Sequence, residues 1–361
     1  MKKKITIKDI AKEIGVDPST VSKGLRKQSD ISIEMQKKIK KFADKLGYRP
    51  NLLAKSLINK RSNILGVIIP DLRISFFSEA TRGIYEEATK NGYETILLVH
   101  DENVENEKRK LEFLSDINVD GILLNAVDET TNLDLYKKLH SEGIKIICWD
   151  RKLKNSNFNS VTINDKKASF EMTNKLIENG RRKIMFIGPN TGIPVAQDRF
   201  EGYLMALKEN KIRVSKKLIL ETERTFESAH NTLFNEIQSG TDIDAIVCVG
   251  GLVAYGAGNA ILESKLRIPE DILLCEFGDN HIISRLGIPF YTVNQNPYKI
   301  GQEAVNLLIK CLKENIDCTK SINIEVEHEI VYRSTGVQRV KNKAKPATKT
   351  MSKVYLNQNL D

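Results

Sequence analysis

The stretch ITIKDIAKEIGVDPSTVS, residues 5–22, contains the start and stop signals of two short helices. Thr6 precedes an apolar-periodic run and Asp9 follows three positions later, which predicts a variant capping box at the start of the first helix. Gly15 predicts the end of that helix, because glycine adopts the left-handed conformation at little cost. Asp17 is placed to cap a second helix, with proline at its first position. Two helices joined by so short a turn predict a helix-turn-helix.

The second helix places an apolar pair, Val21 and Leu25, opposite a polar face. The outward side chains are small hydroxyls and bases: Ser19, Ser22, Lys23 and Arg26. A third helix, predicted from Ser32 to a stop at Gly47, braces the other two with an apolar stripe. The stripe consists of Ile39, Phe42, Ala43 and Leu46. Hydroxyl groups can contact DNA phosphates, and a lysine can donate to guanine O6 and N7, as in a DNA-binding head. Generic three-helix bundles share this apolar spacing, so a DNA-binding head and a plain bundle both stay open.

Charge is unevenly distributed along the 361 residues. Residues 1–63 hold 17 Lys and Arg against 6 Asp and Glu, residues 337–361 hold 6 against 1, and the residues between hold 33 against 40. A basic head on a mildly acidic body favours a head that binds a polyanion. A solvated, lysine-rich surface is the alternative that charge alone leaves open. The tail lacks periodicity, so we predict a disordered basic extension in preference to a second DNA contact.

Four segments near the start carry a family resemblance: residues 5–22, LGYRPN at 46–51, AKSL at 54–57 and GVIIPD at 66–71. In this order they resemble the opening of the lactose and galactose repressor family, LacI/GalR, and related segments recur to about residue 336. The resemblance implies a ligand-responsive transcriptional repressor of carbohydrate-related genes. It also implies a homodimer on a palindromic operator, because one recognition helix covers only a half-site.

The resemblance implies particular DNA contacts for the second helix. Base contacts are expected at Pro18, Ser19 and Lys23. Phosphate contacts are expected at Thr6, Thr20 and Ser22. Asp17 stands where serine is usual, so the capping role survives but a phosphate contact through that hydroxyl does not.

Residues 51–58 resemble the hinge helix of the family, which enters the minor groove in pairs. Its expected DNA-contacting residues are Asn51, Ala54, Lys55 and Leu57. Leu57 aligns with an apolar wedge that unstacks one base step and kinks the DNA. A core leucine in a short amphipathic helix is the alternative for this position.

From residue 64 onward, short apolar runs alternate with amphipathic stretches. The runs are 64–69, 95–99, 121–125, 145–149, 183–187, 245–249, 272–277 and 291–294, and the stretches include 78–91, 105–117, 166–179 and 199–210. This alternation predicts α/β architecture with two parallel, doubly wound sheets. The resemblance implies two lobes like those of type I periplasmic binding proteins, with the ligand between them. The predicted organisation is a helix-turn-helix domain at 1–50, a hinge helix and linker at 51–62, a two-lobe effector-binding and dimerisation core at 63–336, and the tail at 337–361.

Only some of the effector-binding positions of the family are matched in this sequence. Arg199 matches an arginine that grips ring oxygens or a carboxylate of the effector, and Asp150 matches an aspartate at the end of a lobe-one strand. The other expected positions are Phe76, Phe77, Asn125, Asp279 and Gln295. For the two phenylalanines, plain core packing is an equal alternative.

Glycines stand where relatives usually carry polar side chains. The pair at 250–251 replaces Asn-Asp, and Gly278 replaces an aspartate. A cleft that keeps Arg199 and loses two carboxylates favours an anion, because an unpaired arginine in a partly desolvated cleft attracts negative charge. This predicts a phosphorylated or acidic sugar, unless Glu276 or Asp279 fills the vacated space.

Other classes of function lack their signals in this sequence. No nucleotide-binding loop, nucleophile elbow or metalloprotease motif occurs, and the histidines lie far apart, so we predict no enzyme, no cofactor and no metal site. A periplasmic solute-binding protein would share the body, but it would carry an export signal and no head. Residues 1–4 resemble the basic start of an export signal peptide, but charged residues follow where such a peptide needs an apolar segment. No apolar run elsewhere in the sequence is long enough for a membrane-spanning helix. Scattered cysteines indicate reduced thiols, so we expect a cytoplasmic protein without membrane contact.

Overall fold

A computed structural model describes residues 5–48, 61–153, 156–189, 193–278, 281–314, 316–319 and 322–334. The head consists of α1 (Ile7–Ile14), α2 (Pro18–Leu25) and α3 (Ile33–Lys45). The predicted caps of these helices are confirmed. Thr6 and Asp9 form a reciprocal capping box, and Gly15 follows α1 at φ +78°. Asp17 Oδ1 accepts a hydrogen bond of 2.7 Å from the Ser19 backbone N–H at the start of α2.

The head has its own small core. Ile10, Val21 and Ile39, one from each helix, are fully buried, and Leu25 and Phe42 pack against them at the margin. A Cβ at Gly24 would lie 2.4 Å from Ile39 Cδ1, so a side chain at this position would force the Ile39 side chain to move. This contact holds α2 against α3 and leaves its opposite face outward.

The described chain divides into two compact units, each with one six-stranded sheet. Unit 1 comprises the residues before Arg73 with Ala80–Thr162 and Tyr298–Ile324, and unit 2 comprises Arg73–Glu79, Ile163–Pro297 and the residues from Glu325 on. In chain order the strands are β1 (Ile64–Ile69), β2 (Glu94–Val99), β3 (Gly121–Leu124), β4 (Lys145–Trp149), β5 (Ser160–Thr162), β6 (Ile184–Ile187), β7 (Ile219–Leu220), β8 (Ala245–Cys248), β9 (Leu273–Phe277), β10 (Phe290–Asn294), β11 (Asn323–Glu325) and β12 (Glu329–Arg333).

The helices of the two units alternate with these strands. They are α4 (Ser75–Lys90), α5 (Val104–Asp116), α6 (Leu133–Ser141), α7 (Asp165–Glu178), α8 (Pro194–Glu209), α9 (Phe226–Gln238), α10 (Gly251–Glu263), α11 (His281–Ser284) and α12 (Pro297–Glu314), with a 3₁₀ turn at Lys216–Leu218. Among the described residues, no helix combines the length and apolarity needed to cross a bilayer.

The strand orders are those of doubly wound sheets. Sheet 1 runs β11-β5-β4-β3-β1-β2 and sheet 2 runs β12-β10-β9-β8-β6-β7. The central strands β3 and β8 are buried along their whole length, which explains their continuous apolar sequences. Because the pairs among β3, β4, β8, β9 and β10 are parallel, the residues that follow these strands lie at the carboxyl edge of each sheet.

The prediction of parallel sheets needs one correction at an edge. Strand β12 is antiparallel to β10, with Phe290 opposite Arg333. The short outer strands β5, β7, β11 and β12 were absent from the predicted runs, because their sequences are brief or alternate with polar residues. Helix α8 also begins at Pro194, five residues before the predicted start, since proline suits the first helical turn. Arg199 therefore lies in the second turn of α8.

Candidate DNA-binding and effector-binding sites

The polar face of α2 is presented to solvent as the sequence predicts. Ser19 is exposed, and Pro18, Thr20, Ser22 and Lys23 are half-buried at the surface of the head. Hydrogen bonds from Ser19 lower the pKa of Asp17, which keeps the capping carboxylate ionised at the start of α2. The short, capped helix thus presents a hydroxyl and an ammonium group at the surface of the head.

Two of the expected contact residues are already engaged within the head. The Thr6 hydroxyl donates to Asp9 Oδ2 at 2.7 Å, so its proton is in use for the capping box. A phosphate accepts hydrogen bonds, and a contact to Thr6 Oγ1 would therefore require this bond to break. Lys23 Nζ lies 2.5 Å from Asp30 Oδ2, an ion pair between side chains that are 43% and 50% exposed.

The remaining expected DNA contacts fall outside the described residues. These are the hinge positions Asn51, Ala54, Lys55 and Leu57. Asp279, expected near the effector, and the basic tail from residue 337 also fall outside them. The roles of these residues therefore stay predictions.

At the carboxyl edge of sheet 1, Asn125 and Asp150 come together. They follow the neighbouring parallel strands β3 and β4, and Asn125 Nδ2 donates to Asp150 Oδ2 at 3.0 Å and to the Trp149 carbonyl at 3.3 Å. Asn125 is fully buried, and no described residue donates to its Oδ1. A buried acceptor beside a carboxylate is suited to the hydroxyl groups of a ligand, because each hydroxyl can donate to one of them.

Arg151 lies beside this pair and was missed by sequence reasoning. Its guanidinium is buried and donates hydrogen bonds to Glu102 at 2.6 and 3.1 Å and to the Ala126 carbonyl at 2.9 Å. It also lies 3.3 Å from the Asp128 carboxylate and 3.8 Å from the Asp150 carboxylate. Burial acts to lower the pKa of Arg151, but the carboxylates, first that of Asp128, raise it above its ordinary value. Arg151 is therefore a permanent cation. A signal was present in the sequence, since a charged residue directly follows the strand-ending Asp150.

In unit 2 the structure overturns the premise that Arg199 is unpaired. Arg199 Nε and one terminal nitrogen each lie 2.7 Å from Asp165 Oδ1, and the other terminal nitrogen donates to the Val249 carbonyl at 2.6 Å. The guanidinium also lies over the Phe277 ring at 4.2 Å. Both charged side chains are more than nine-tenths buried. The prediction of an acidic effector from a free arginine therefore loses its basis.

A close helix crossing explains why Arg199 meets Asp165. A Cβ at Gly202 of α8 would lie 2.2 Å from the Lys166 carbonyl oxygen of α7, so only glycine permits this approach. Asp165 opens α7, and Arg199 lies one turn before Gly202 on the facing helix. The glycine in the sequence Arg-Phe-Glu-Gly thus brings the two charges into contact.

The glycines at the carboxyl edge of sheet 2 leave space. A Cβ at Gly250 would meet no atom within 4 Å, and Gly250 precedes α10 without a capping side chain. A Cβ at Gly278 would lie 3.7 Å from Gln295 Oε1 and 4.0 Å from Glu276 Oε2. Glu276 is fully buried and accepts a hydrogen bond of 2.6 Å from Thr292. A carboxylate therefore borders the space that Gly278 opens.

Unit 2 also contains a buried aromatic pair and, lined by other residues, a cavity. Phe76 and Phe77 pack edge to face at 5.2 Å and are 7% and 5% exposed, so both core packing and contact with a ligand stay open. A cavity of about 530 Å³ is lined by Pro189, Ile193, Glu221, Thr222, Glu223, Arg224 and Ser228. Thr222 is buried, and its hydroxyl has no hydrogen-bond partner among the described residues. Sequence reasoning missed Thr222, because a lone threonine after a short strand gives no signal.

The predicted effector residues thus form separate sets within the two units. Asn125 and Asp150 belong to unit 1, while Phe76, Phe77, Arg199 and Gln295 belong to unit 2. Among the described residues, no three His, Cys, Asp or Glu side chains are grouped as metal ligands would be.

Comparison with known proteins identifies both parts of the chain. Residues 6–51 match the model of bacterial regulatory proteins of the lacI family, and residues 62–332 match that of periplasmic binding proteins and the sugar binding domain of the LacI family. The transcriptional regulator RegA of Clostridium saccharobutylicum is 29% identical over 334 residues, which cover 92% of this chain and 99% of RegA. The ribose operon repressor of Halalkalibacterium halodurans is 29% identical over 331 residues, covering 91% of this chain and 96% of the repressor.

A solved structure shows the same fold over nearly the whole chain. The lac repressor dimer bound to operator and an anti-inducer superposes with a TM-score of 0.80 at 22% identity, covering 93% of this chain and 100% of that one. The two family models match successive parts of the chain, the regulatory-protein model first and the sugar-binding-domain model after it. This is the order that the resemblance of the opening segments implied. The chain belongs to the LacI family of bacterial regulatory proteins.

Proposed function

We propose that the chain is a sequence-specific transcriptional repressor that binds a palindromic operator as a homodimer in the cytoplasm and responds to a sugar. The observation that carries this proposal is the outward face of α2. There Ser19 is exposed and Lys23 lies at the surface of a short helix whose start is capped by Asp17. Such a helix supplies a hydroxyl and an ammonium group for base edges in the major groove.

The relatives support the two partners. The lac repressor structure contains operator DNA and an anti-inducer, a further solved neighbour is a regulator in complex with cellobiose, and one relative is named as the repressor of a ribose operon. A DNA operator and a carbohydrate are therefore the partners we assign to this chain. The cytoplasm follows from the DNA partner.

Selection of bound sequences from a random DNA library will define the operator, and Lys23→Ala then tests base readout. We expect the variant to bind the operator about 1–3 kcal/mol more weakly and to lose preference at one position per half-site, because Lys23 contacts a base edge. Binding is measured by fluorescence anisotropy on the operator and on its single-base variants.

The matched control is Lys41→Ala, which removes the same charge from an exposed position on α3. We expect it to weaken binding slightly and equally on all sequences. If Lys23→Ala behaves in the same way, with the sequence preference intact, Lys23 contacts phosphate and the assignment to a base is wrong.

The dimer requires a self-complementary face, and the outer strand of unit 1 is our candidate for it. Sheet 1 ends at β2, and large apolar side chains remain exposed on this strand and on the helices before and after it. Tyr85 of α4 is 54% exposed, Leu97 of β2 is 36% exposed and Phe113 of α5 is 46% exposed. We assign this edge to a second copy of the chain, because a palindrome needs two heads at a fixed spacing.

The double variant Tyr85→Asp with Phe113→Asp is expected to convert the dimer to a monomer, because it places charges in an apolar interface. Operator affinity should fall by about 100-fold or more, since the two half-sites are no longer bound together. Analytical ultracentrifugation and anisotropy measure the two effects. Met205→Asp, at a side chain 46% exposed on α8, is the control and should leave both unchanged. A dimeric double variant would place the interface elsewhere.

For the effector, the charges of the described residues favour a neutral sugar. Arg199 is neutralised by Asp165, and Glu276 adds a carboxylate next to Gly278. In unit 1 the acceptor Asn125 Oδ1 and the carboxylate of Asp150 are suited to hydroxyl donors. Within each unit, a phosphorylated sugar at these residues would bring its charge next to a carboxylate.

A further inference from the structure

The ion pair between Lys23 and Asp30 joins the recognition helix to a rigid turn. Asp30 lies between α2 and α3, where Gln36 Nε2 donates to the backbone carbonyls of Gln28 at 3.1 Å and Ile31 at 2.9 Å. The turn is therefore held by α3, and Asp30 stays in place without help from Lys23. The hydrogen bond from Lys23 lowers the pKa of Asp30, so its carboxylate stays charged at neutral pH.

The neighbouring base does not replace Lys23 in this contact. Arg26 Nε folds back and donates to the Ser22 carbonyl at 3.2 Å, while Lys23 Nζ lies 2.5 Å from the carboxylate. A carboxylate held beside the recognition helix of a DNA-binding head has a cost, because it repels phosphates. It also provides Lys23 with a local partner of the same charge as a phosphate.

We propose that Asp30 is a specificity-determining residue, because it withholds the ammonium group of Lys23 from DNA phosphates. On DNA of random sequence a phosphate has to compete with the Asp30 carboxylate for Lys23, so Lys23 stays on Asp30 and neutralises no phosphate. At the operator a guanine edge offers two acceptors in the major groove, and Lys23 leaves Asp30 for them. Lys23 then contributes to operator binding and not to non-specific binding. This inference rests on the proposed function, in which Lys23 contacts a base.

The test uses the full chain and a mixed-sequence duplex that lacks the operator, with binding measured between about 50 and 200 mM salt. In Asp30→Asn, Lys23 is released to contact a phosphate. The slope of log affinity against log salt should steepen by about 0.9, the value for one further phosphate. Affinity for the mixed-sequence duplex should rise about two- to fivefold at the lower salt, the range expected for an exposed ion pair. The turn keeps its shape in this variant because Gln36 holds it.

A double-mutant cycle with Lys23→Ala separates this effect from general repulsion. Lys23→Ala should leave the salt slope on the mixed-sequence duplex unchanged in the parent, because Lys23 neutralises no phosphate there, and it should return Asp30→Asn to the parental slope. Asp44→Asn, which makes the same charge change at an exposed site on α3, should leave the slope unchanged.

Two results would overturn the inference alone: an Asp30→Asn slope equal to the parental slope, or a steeper slope that persists in the double variant. In the second case Asp30 acts by repelling phosphates directly and not through Lys23. A parent protein that prefers no sequence in the library selection would overturn the proposed function together with this inference.

Discussion

Asp165→Ala is expected to lower the free energy of unfolding of unit 2 by about 3–5 kcal/mol, the cost of leaving a buried charge without its partner. Arg199 would keep its bond to the Val249 carbonyl and its contact with Phe277, but neither carries a charge to balance the guanidinium. Urea denaturation followed by circular dichroism measures the loss. The single tryptophan, Trp149, lies in unit 1, so its fluorescence follows that unit separately.

The control for this prediction lies on the same two helices. Lys166 of α7 and Glu201 of α8 form an ion pair of 2.9 Å in which each side chain is 43% exposed. Glu201→Gln should change stability by less than about 1 kcal/mol, because an exposed pair is screened by water. If Asp165→Ala costs no more than this control, water or a neighbour compensates Arg199, and the argument against an acidic effector fails with the prediction.

The head was predictable in detail because its signals are local. Thr6, Asp17 and Ser32 each cap a helix through a backbone N–H two or three residues away. Gly15 and Gly47 follow helix ends with a positive φ, a conformation that glycine adopts at little cost and that is therefore expected at a helix end. Such contacts depend on sequence neighbours alone, so pattern and structure agree.

The effector residues were harder to predict because their partners are distant in sequence. Asp165 lies 34 residues before Arg199, and the crossing of α7 and α8 at Gly202 brings them together. The same holds for Arg151, whose partner Glu102 lies 49 residues away. The family resemblance was enough to name Arg199 and Asp150 as effector-binding residues. It did not indicate which charged side chains lie next to them in the folded chain. The predicted charge of the effector was therefore the weakest inference from the sequence.

The Lys23–Asp30 pair lies between these two cases. The seven-residue separation spans the end of α2 and the following turn, so this is not one of the i,i+3 or i,i+4 pairs that a helix brings into contact. Sequence reasoning therefore treated Lys23 as a free cation on the polar face. The structure adds the counter-charge, and with it the inference about non-specific binding.

Asp150→Asn is expected to weaken binding of a neutral sugar by about tenfold or more, because a hydrogen bond to a carboxylate contributes more than one to an amide. The probe is the neutral sugar that gives the largest thermal shift in a panel of neutral and phosphorylated pairs. Asparagine suits this site because Asp150 has φ +64°, a conformation that asparagine tolerates. Arg151 keeps Glu102 and Asp128, so the fold of the edge should persist.

Calorimetry on the full chain measures the sugar affinity, and anisotropy on the operator measures the response. The sugar concentration that alters operator binding should rise by the same tenfold factor, while affinity of the sugar-free protein for the operator stays unchanged, since Asp150 belongs to no DNA-contacting segment. Asp134→Asn, at a side chain 98% exposed on α6, removes the same charge and should alter neither quantity. Unchanged sugar affinity in Asp150→Asn would show that the carboxylate does not contact the sugar. Thermal shifts with phosphorylated sugars alone would mean that cations outside the described contacts outweigh Asp150 and Glu276, and the effector would then be an anion.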